Sequence, residues 1–155
     1  MEIRRAKYCD IPRIIELLEQ VLTVHHEGRP DVFKSGAKKY DENMLTCMLS
    51  DDKTVIFVAE NATRVLGYCF CMIKETHGDT ILKDMKTLYI DDLCIDEGER
   101  GQGVGRALFE YARAYAKELG CYNLTLNVWE CNTGAKAFYE RLGLVPQKTI
   151  LETIL

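Results

Sequence analysis

The sequence predicts an α/β (α+β) fold with a mixed, mostly antiparallel central sheet flanked by helices, and three observations carry that prediction. Apolar residues recur at helical spacing before residue 50 and again after residue 104. Between them lie short apolar runs of strand length, separated by turn residues. The order is strand, two helices, an antiparallel meander, then strand, glycine loop, helix, strand, helix and a closing strand. With 155 residues, 47% of them hydrophobic and 28% charged, the chain suits one domain, 1–155, with its own core and no repeat or linker.

Composition narrows the partners. A net charge of −4 gives no broad attraction to nucleic acid and slightly favours a cationic partner. No apolar run approaches membrane-spanning length, and Met1 to Arg5 leads straight into folded pattern, so a cytoplasmic protein without membrane association is expected. The seven cysteines (Cys9, Cys47, Cys69, Cys71, Cys94, Cys121 and Cys131) are odd in number and sit mostly in apolar runs, which suits reduced thiols better than a disulfide framework. Cys69 and Cys71 share a strand face near His77, but no second cysteine pair completes a tetrahedral set; packing is favoured and no metal is expected.

In chain order, Glu2 to Lys7 alternates as a first strand. Asp10 can cap a helix that tolerates Pro12 in its first turn and carries Ile11, Ile14, Ile15, Leu18, Val21 and Leu22 on one stripe. His25 to Gly36 mixes breakers and charges and reads as a loop, and Lys38 to Leu49 as a second helix with Tyr40, Met44, Leu45 and Met48 inward. Thr54 to Glu60 and Val65 to Lys74 form a hairpin around Asn61 to Arg64. Glu75 to Lys86 lacks a period and reads as a loop before the central strand, Thr87 to Asp96. A helix from Val104 to Leu119 puts Leu108, Tyr111, Ala112 and Tyr115 on one face and ends at Gly120. Tyr122 to Trp129 is a further strand, and Asn132 to Leu142 a short helix ended by Gly143. Leu144 to Pro146 and Lys148 to Leu155 close the sheet, the last an apolar edge able to pair with a second copy as a homodimer.

The stretch from Ile90 to Leu108 is the one the rest is organised around. Gly101, Gly103 and Gly105 remove β-carbons that would hold a ligand off the backbone, and the helix starting near Val104 adds unpaired N–H donors and a positive dipole end. An anion, and a phosphate above all, fits there. A Walker-type loop would need Gly-Lys-Ser/Thr where Gly105 is followed by Arg106 and Ala107. A dinucleotide fingerprint would need an acidic residue at the end of a following strand about 20 positions on, which is missing.

The spacing Arg100-x-x-Gly103-x-Gly105 resembles the pyrophosphate motif of the GNAT superfamily of acyl-CoA-dependent N-acetyltransferases. Asn132 to Leu144, an asparagine ahead of a short helix carrying Ala137, Phe138 and Tyr139 and then Gly143, resembles that superfamily's other signature. The resemblance implies a GNAT-like sheet, acetyl-CoA as cofactor, and acetyl transfer to a primary amine by direct attack in a ternary complex. Residue by residue, it implies that the strand end Leu93, Cys94 and Ile95 runs along the pantetheine arm, with Leu93 and Ile95 offering backbone groups. It implies that Arg100, Gly101, Gln102, Gly103, Val104 and Gly105, with Arg106, hold the pyrophosphate, and that Asn132 binds the pantetheine chain. Tyr139 would stand beside the thioester sulfur as general acid, with Phe138 packed inward. In the polyamine acetyltransferases an acidic pair stands where this chain has Asp91 and Asp92.

The chemistry sets demands on the remaining residues. An alkylammonium has a pKa of about 10.4, so presenting it neutral at neutral pH costs about 4 to 5 kcal/mol unless a base or the site helps. Asp91 and Asp92 are the candidates for base or amine recognition; the plainer alternative is two carboxylates at a strand end. Alternation puts them on opposite faces, so only one faces the cleft unless the strand bulges. His26, Arg29 and Phe33, against the alternative of a cap and a surface loop, line the acceptor side, and Trp129 borders it unless it serves the core or a dimer contact. The acceptor is expected to be a small amine, with a protein N-terminus or lysine as the alternative. A non-catalytic acyl-CoA-binding module is the rival of another class, and Tyr139 and Asp91 argue against it.

Overall fold

The computed structural model describes residues 1–155. Its core is a five-stranded sheet in sequence order: β1 (Glu2–Arg5), β2 (Thr54–Glu60), β3 (Val65–Thr76), β4 (Met85–Ile95) and β5 (Asn123–Leu126). The first four strands are antiparallel neighbours, and β5 joins β4 in parallel. Helices α1 (Ile11–Gly28) and α2 (Glu42–Leu49) lie between β1 and β2 in the chain, α3 (Val104–Glu118) between β4 and β5, and α4 (Thr133–Arg141) after β5.

Strands β2 and β3 are apolar almost throughout because helices cover both sheet faces. On one face Val55, Phe57, Cys69, Cys71, Leu88 and Ile90 meet Val104, Leu108, Phe109 and Ala112 of α3. On the other, Ile56, Val58, Tyr68 and Phe70 meet Ile14, Leu17 and Leu18 of α1 and Leu45 of α2. The period of two along β2 thus deals alternate side chains to two cores. Cys69 and Cys71 belong to the first, their sulfurs 3.6 Å apart.

Several boundaries differ from the expectations. Helix α1 includes His25 and His26, since nothing in that turn breaks a helix before Gly28 and Pro30. Helix α2 starts at Glu42 rather than Lys38, because the Asp41 carboxylate accepts from Met44 N and fixes the start, leaving Tyr40 in the preceding loop. The hairpin partners β3 and β4 extend to Thr76 and from Met85, into the stretch expected to be loop. Strand β5 is short, and neither Leu144 to Pro146 nor Lys148 to Leu155 forms a strand: the sheet ends at β5, whose outer edge stays unpaired. Ile150, Leu151 and Ile154 are 83%, 89% and 80% exposed, and Glu152 is tied to Arg29 at 2.5 Å. No helix is long and apolar enough to cross a membrane.

Candidate active site

The site begins where β4 loses a neighbour. The β4–β5 ladder covers only Thr87 to Ile90, while β3 stays paired with β4 as far as Ile95. From Asp91 onward the β5 side of β4 is open. Asp96 N donates to Leu66 O of β3 at 2.8 Å, and since successive residues of a strand point their backbone groups to opposite sides, Ile95 and, two residues earlier, Leu93 point theirs into the gap. Cys94 is placed differently from its expected role. It stands opposite Tyr68 in the ladder, and its buried thiol donates to Leu17 O at 3.3 Å, so neither its backbone nor its sulfur lies toward the gap.

The glycine loop closes one end of this opening. Arg100, Gly101, Gln102 and Gly103 are exposed, Gly103 caps α3 with φ 85°, a conformation only glycine adopts without strain, and a β-carbon at Gly101 or Gly103 would meet nothing. Arg100 Nε donates to Ile95 O at 3.3 Å, and Gln102 Nε2 to Glu99 at 3.1 Å; Arg106 points to solvent and Val104 is buried under the helix start. Gly105 is bare for another reason: a β-carbon there would stand 3.3 Å from the Phe138 ring of α4 and 3.4 Å from Ile95. The loop is anchored by buried Asp96, which accepts from Gly98 N at 3.1 Å and pairs with Arg13 of α1. Burial alone would raise the Asp96 pKa, but the Arg13 and Gly98 hydrogen bonds outweigh it and hold the carboxyl below its ordinary range.

The two carboxylates share a face, contrary to plain alternation. Phe70 pairs with Asp92 and Cys71 with Ile90, so Asp91 is the extra residue of a bulge. Ile90 before it belongs to the α3 core, whereas Asp91 and Asp92 both reach toward α1 and α2: Asp91 Oδ2 accepts from Tyr40 at 2.5 Å, and Asp92 Oδ2 from Tyr68 at 3.0 Å. Lys39 adds contacts to the Asp91 carboxylate at 2.9 Å and to Asp91 O at 3.0 Å. Burial pushes Asp92 above the ordinary carboxylate range, only partly offset by the Lys39 charge and the Tyr68 hydrogen bond. The same burial, joined by Asp91, raises Tyr40.

Across the gap stands Tyr139 of α4. Its ring, not that of Phe138, packs against the α3-side core, reversing the expected division between the two aromatics. The cause is Gly105, whose missing side chain gives Phe138 its place. The Tyr139 hydroxyl makes no hydrogen bond within the chain, yet it is not a sealed, unpartnered atom, so it opens onto accessible space. Burial, together with the nearby Cys69, Asp92 and Cys94, raises its pKa above the ordinary phenol value. Asn132 caps α4 by accepting from Ala135 N at 3.1 Å through its side-chain oxygen, leaving the amide nitrogen free.

The residues expected on the acceptor side come together. Phe33 stacks on His25 with centroids 5.1 Å apart and meets Trp129 edge-on, also at 5.1 Å. Arg29 lies 6.0 Å over Trp129 and pairs with Asp31, while His26 Nδ1 bonds Phe33 O at 2.8 Å and fixes the loop. Burial, with Lys39 close by, lowers His25 and favours its neutral form. Sequence reasoning passed over Lys39, Tyr40 and Tyr68 as site residues. Their roles depend on the bulge and on loop placement, and no local pattern carries that signal.

Residues 18–144 match the model of the acetyltransferase (GNAT) family. The chain belongs to this family. It is 30% identical over 139 residues to an uncharacterized N-acetyltransferase of Archaeoglobus fulgidus, covering 90% of this chain and 89% of that one. The BH1408 protein of Bacillus halodurans, crystallised in a mutant form, superposes with a TM-score of 0.96 at 31% identity, over 100% of this chain and 99% of that chain. A shorter match joins it to the peptidyl-lysine N-acetyltransferase YjaB of Salmonella typhimurium, 44% identical over 55 residues, which is 36% of this chain and 34% of that protein. The chain is therefore a GNAT acetyltransferase, and acetyltransferases of this family generally use acetyl-CoA.

Proposed function

We propose that this N-acetyltransferase binds acetyl-CoA along the open edge of β4 and passes the acetyl group to a small cationic primary amine entering from the side of α1 and α2. The observation that carries the reading is the unpaired stretch of β4 after Ile90, with Leu93 and Ile95 turned into the gap and a bare, cationic loop at its end. These residues fit the cofactor: Arg100 to Gly105 and the α3 N-terminus present N–H donors to a diphosphate, Arg106 adds charge, and Leu93, Ile95 and the free amide of Asn132 suit the amide-bearing arm. When bound, acetyl-CoA supplies an activated acyl thioester.

The chain's own groups then divide the work. Asp91, near the mouth, attracts the ammonium; Asp92, deeper, takes its proton at a carboxylate oxygen; Tyr139 holds a proton at Oη for the leaving sulfur. The Ile95 N–H polarises the acyl carbonyl, a contribution of roughly 3 kcal/mol in comparable sites. His26, Arg29, Phe33 and Trp129 form the acceptor wall. A protein amine is the second reading, favoured by the local match to YjaB. A thiol-release assay with acetyl-CoA should register CoA in the presence of a linear alkyldiamine and little with a lysine-containing peptide; the opposite ranking favours the second reading, and no release with any amine contradicts both.

Residues 1–155 act as one acetyltransferase domain in a homodimer, with the exposed apolar segment 148–155 covered by a second copy. Sedimentation should find twice the chain mass, and a monomer throughout would contradict the pairing.

A further inference from the structure

Lys39 is placed unlike an ordinary surface lysine. Its side chain is 34% exposed, and its ammonium lies against Asp91. It contacts the Asp91 carboxylate at 2.9 Å and the Asp91 carbonyl at 3.0 Å, and lies 5.5 Å from the centre of the Tyr40 ring. An ammonium carries three donors and no acceptor, and a carboxylate, a carbonyl and an aromatic face are the partners a receptor for a primary alkylammonium would supply. Around this point stand Tyr40, whose hydroxyl also bonds Asp91, and the His25–Phe33 stack. Resting on the proposed function, in which Asp91 recognises the acceptor, the position taken by the Lys39 ammonium is the one an acceptor ammonium needs.

We infer that Lys39 is a specificity-determining residue, a tethered occupant of the acceptor-ammonium subsite, which an acceptor enters by displacing it. Occupancy supports displacement over simple addition: the Asp91 carboxylate is already engaged by Lys39 and Tyr40, so a second ammonium gains it by taking the lysine's place. Lys39 lies in the loop before α2, outside any helix or strand, and four flexible bonds let its ammonium swing into water when a better-placed cation arrives. The exchange favours acceptors that reproduce the lysine's own end group, an unbranched alkyl chain with a terminal primary ammonium. A neutral amine lacks the charge to compete at Asp91.

The test compares KM for propylamine, for a linear alkyldiamine and for aniline, which is uncharged at neutral pH, in wild type, Lys39→Met, Lys39→Gln and Lys39→Arg. An exposed ion pair of this kind is worth about a two- to fivefold change in binding. KM for both alkylamines should fall by that factor in Lys39→Met and Lys39→Gln and stay near wild type in Lys39→Arg, while KM for aniline moves less. Unmoved or raised KM for the alkylamines in the two uncharged variants would overturn the inference, as would a fall that Lys39→Arg or aniline shares equally. A parallel drop in Tm with raised KM would assign Lys39 a structural task instead. If wild type releases CoA with these amines but the variants do not shift KM, only this inference fails; if wild type releases none, the proposed function fails with it.

Discussion

In the proposed mechanism burial raises the pKa of both Tyr139 and Asp92, which suits a proton donor and works against a base. A phenol is protonated at neutral pH, as a proton donor requires, and burial moves Tyr139 further in that direction; Tyr139→Phe should lower kcat by about a hundredfold with acetyl-CoA affinity nearly unchanged. Equal losses in kcat and affinity would mean that the ring, not the hydroxyl, matters. For Asp92 the raised pKa has two signs to work out. As a base it must be ionised, so activity falls as pH drops through a value above the ordinary carboxylate range, and Asp92→Asn should lose that limb along with most turnover. For stability, a carboxyl with a raised folded pKa contributes below its unfolded pKa, and the contribution is lost as pH rises through the folded value. Asp92→Asn should therefore melt higher than wild type at neutral pH; a lower Tm would show that the carboxylate is better satisfied than the Tyr68 bond alone implies.

At the scale of elements, the bulge in β4 and the start of α4 decide the site. The glycine loop and the Asn132 to Leu144 segment could be recognised in the sequence because each sets local backbone geometry, a positive φ at Gly103 and a side-chain cap at Asn132. The shared face of Asp91 and Asp92 could not, because a bulge is a property of the pairing between β3 and β4 and both strands read as regular alone. Loop placement hid Lys39 and Tyr40 in the same way. Asn132 offers a separation of structural and binding tasks. Asn132→Ala should cost about 1 kcal/mol by urea denaturation through loss of the cap, whereas Asn132→Asp keeps the capping oxygen and should retain stability. If acetyl-CoA affinity nevertheless falls in Asn132→Asp, the amide nitrogen contributes to binding; undiminished affinity would reduce Asn132 to a cap.

Across the whole molecule, ion pairs tie the chain's beginning to its middle. Arg4 of β1 holds buried Asp10 at 2.7 Å and Glu60 of β2 at 2.6 Å, and Arg13 holds Asp96 at the foot of the glycine loop. Burial opposes ionisation of Asp10, but Arg4 and Lys7 N outweigh it, and Arg4 likewise lowers Glu60. Carboxyls with lowered pKa values give stability that is present above the unfolded carboxylate value of about 4 and is lost as pH falls through the folded values. Acid unfolding should thus begin as these groups protonate, and Arg4→Met should cost about 3 kcal/mol at neutral pH by leaving Asp10 buried without its partner. A loss below measurement would mean that water replaces the arginine. The antiparallel hairpin and the order of elements along the chain were legible in the apolar runs; the expected C-terminal strand does not form, because an apolar segment reads as a strand whether or not it pairs, and this one pairs with neither edge of the sheet. Acetyl transfer as proposed requires the open edge of β4 and the bare loop from Arg100 to Arg106 to hold acetyl-CoA. In titration calorimetry acetyl-CoA should give saturable heat at one site per chain, greatly weakened in Gly103→Val, whereas no saturable heat with the folded protein, or equal affinity in the variant, would mean that the coenzyme does not bind there.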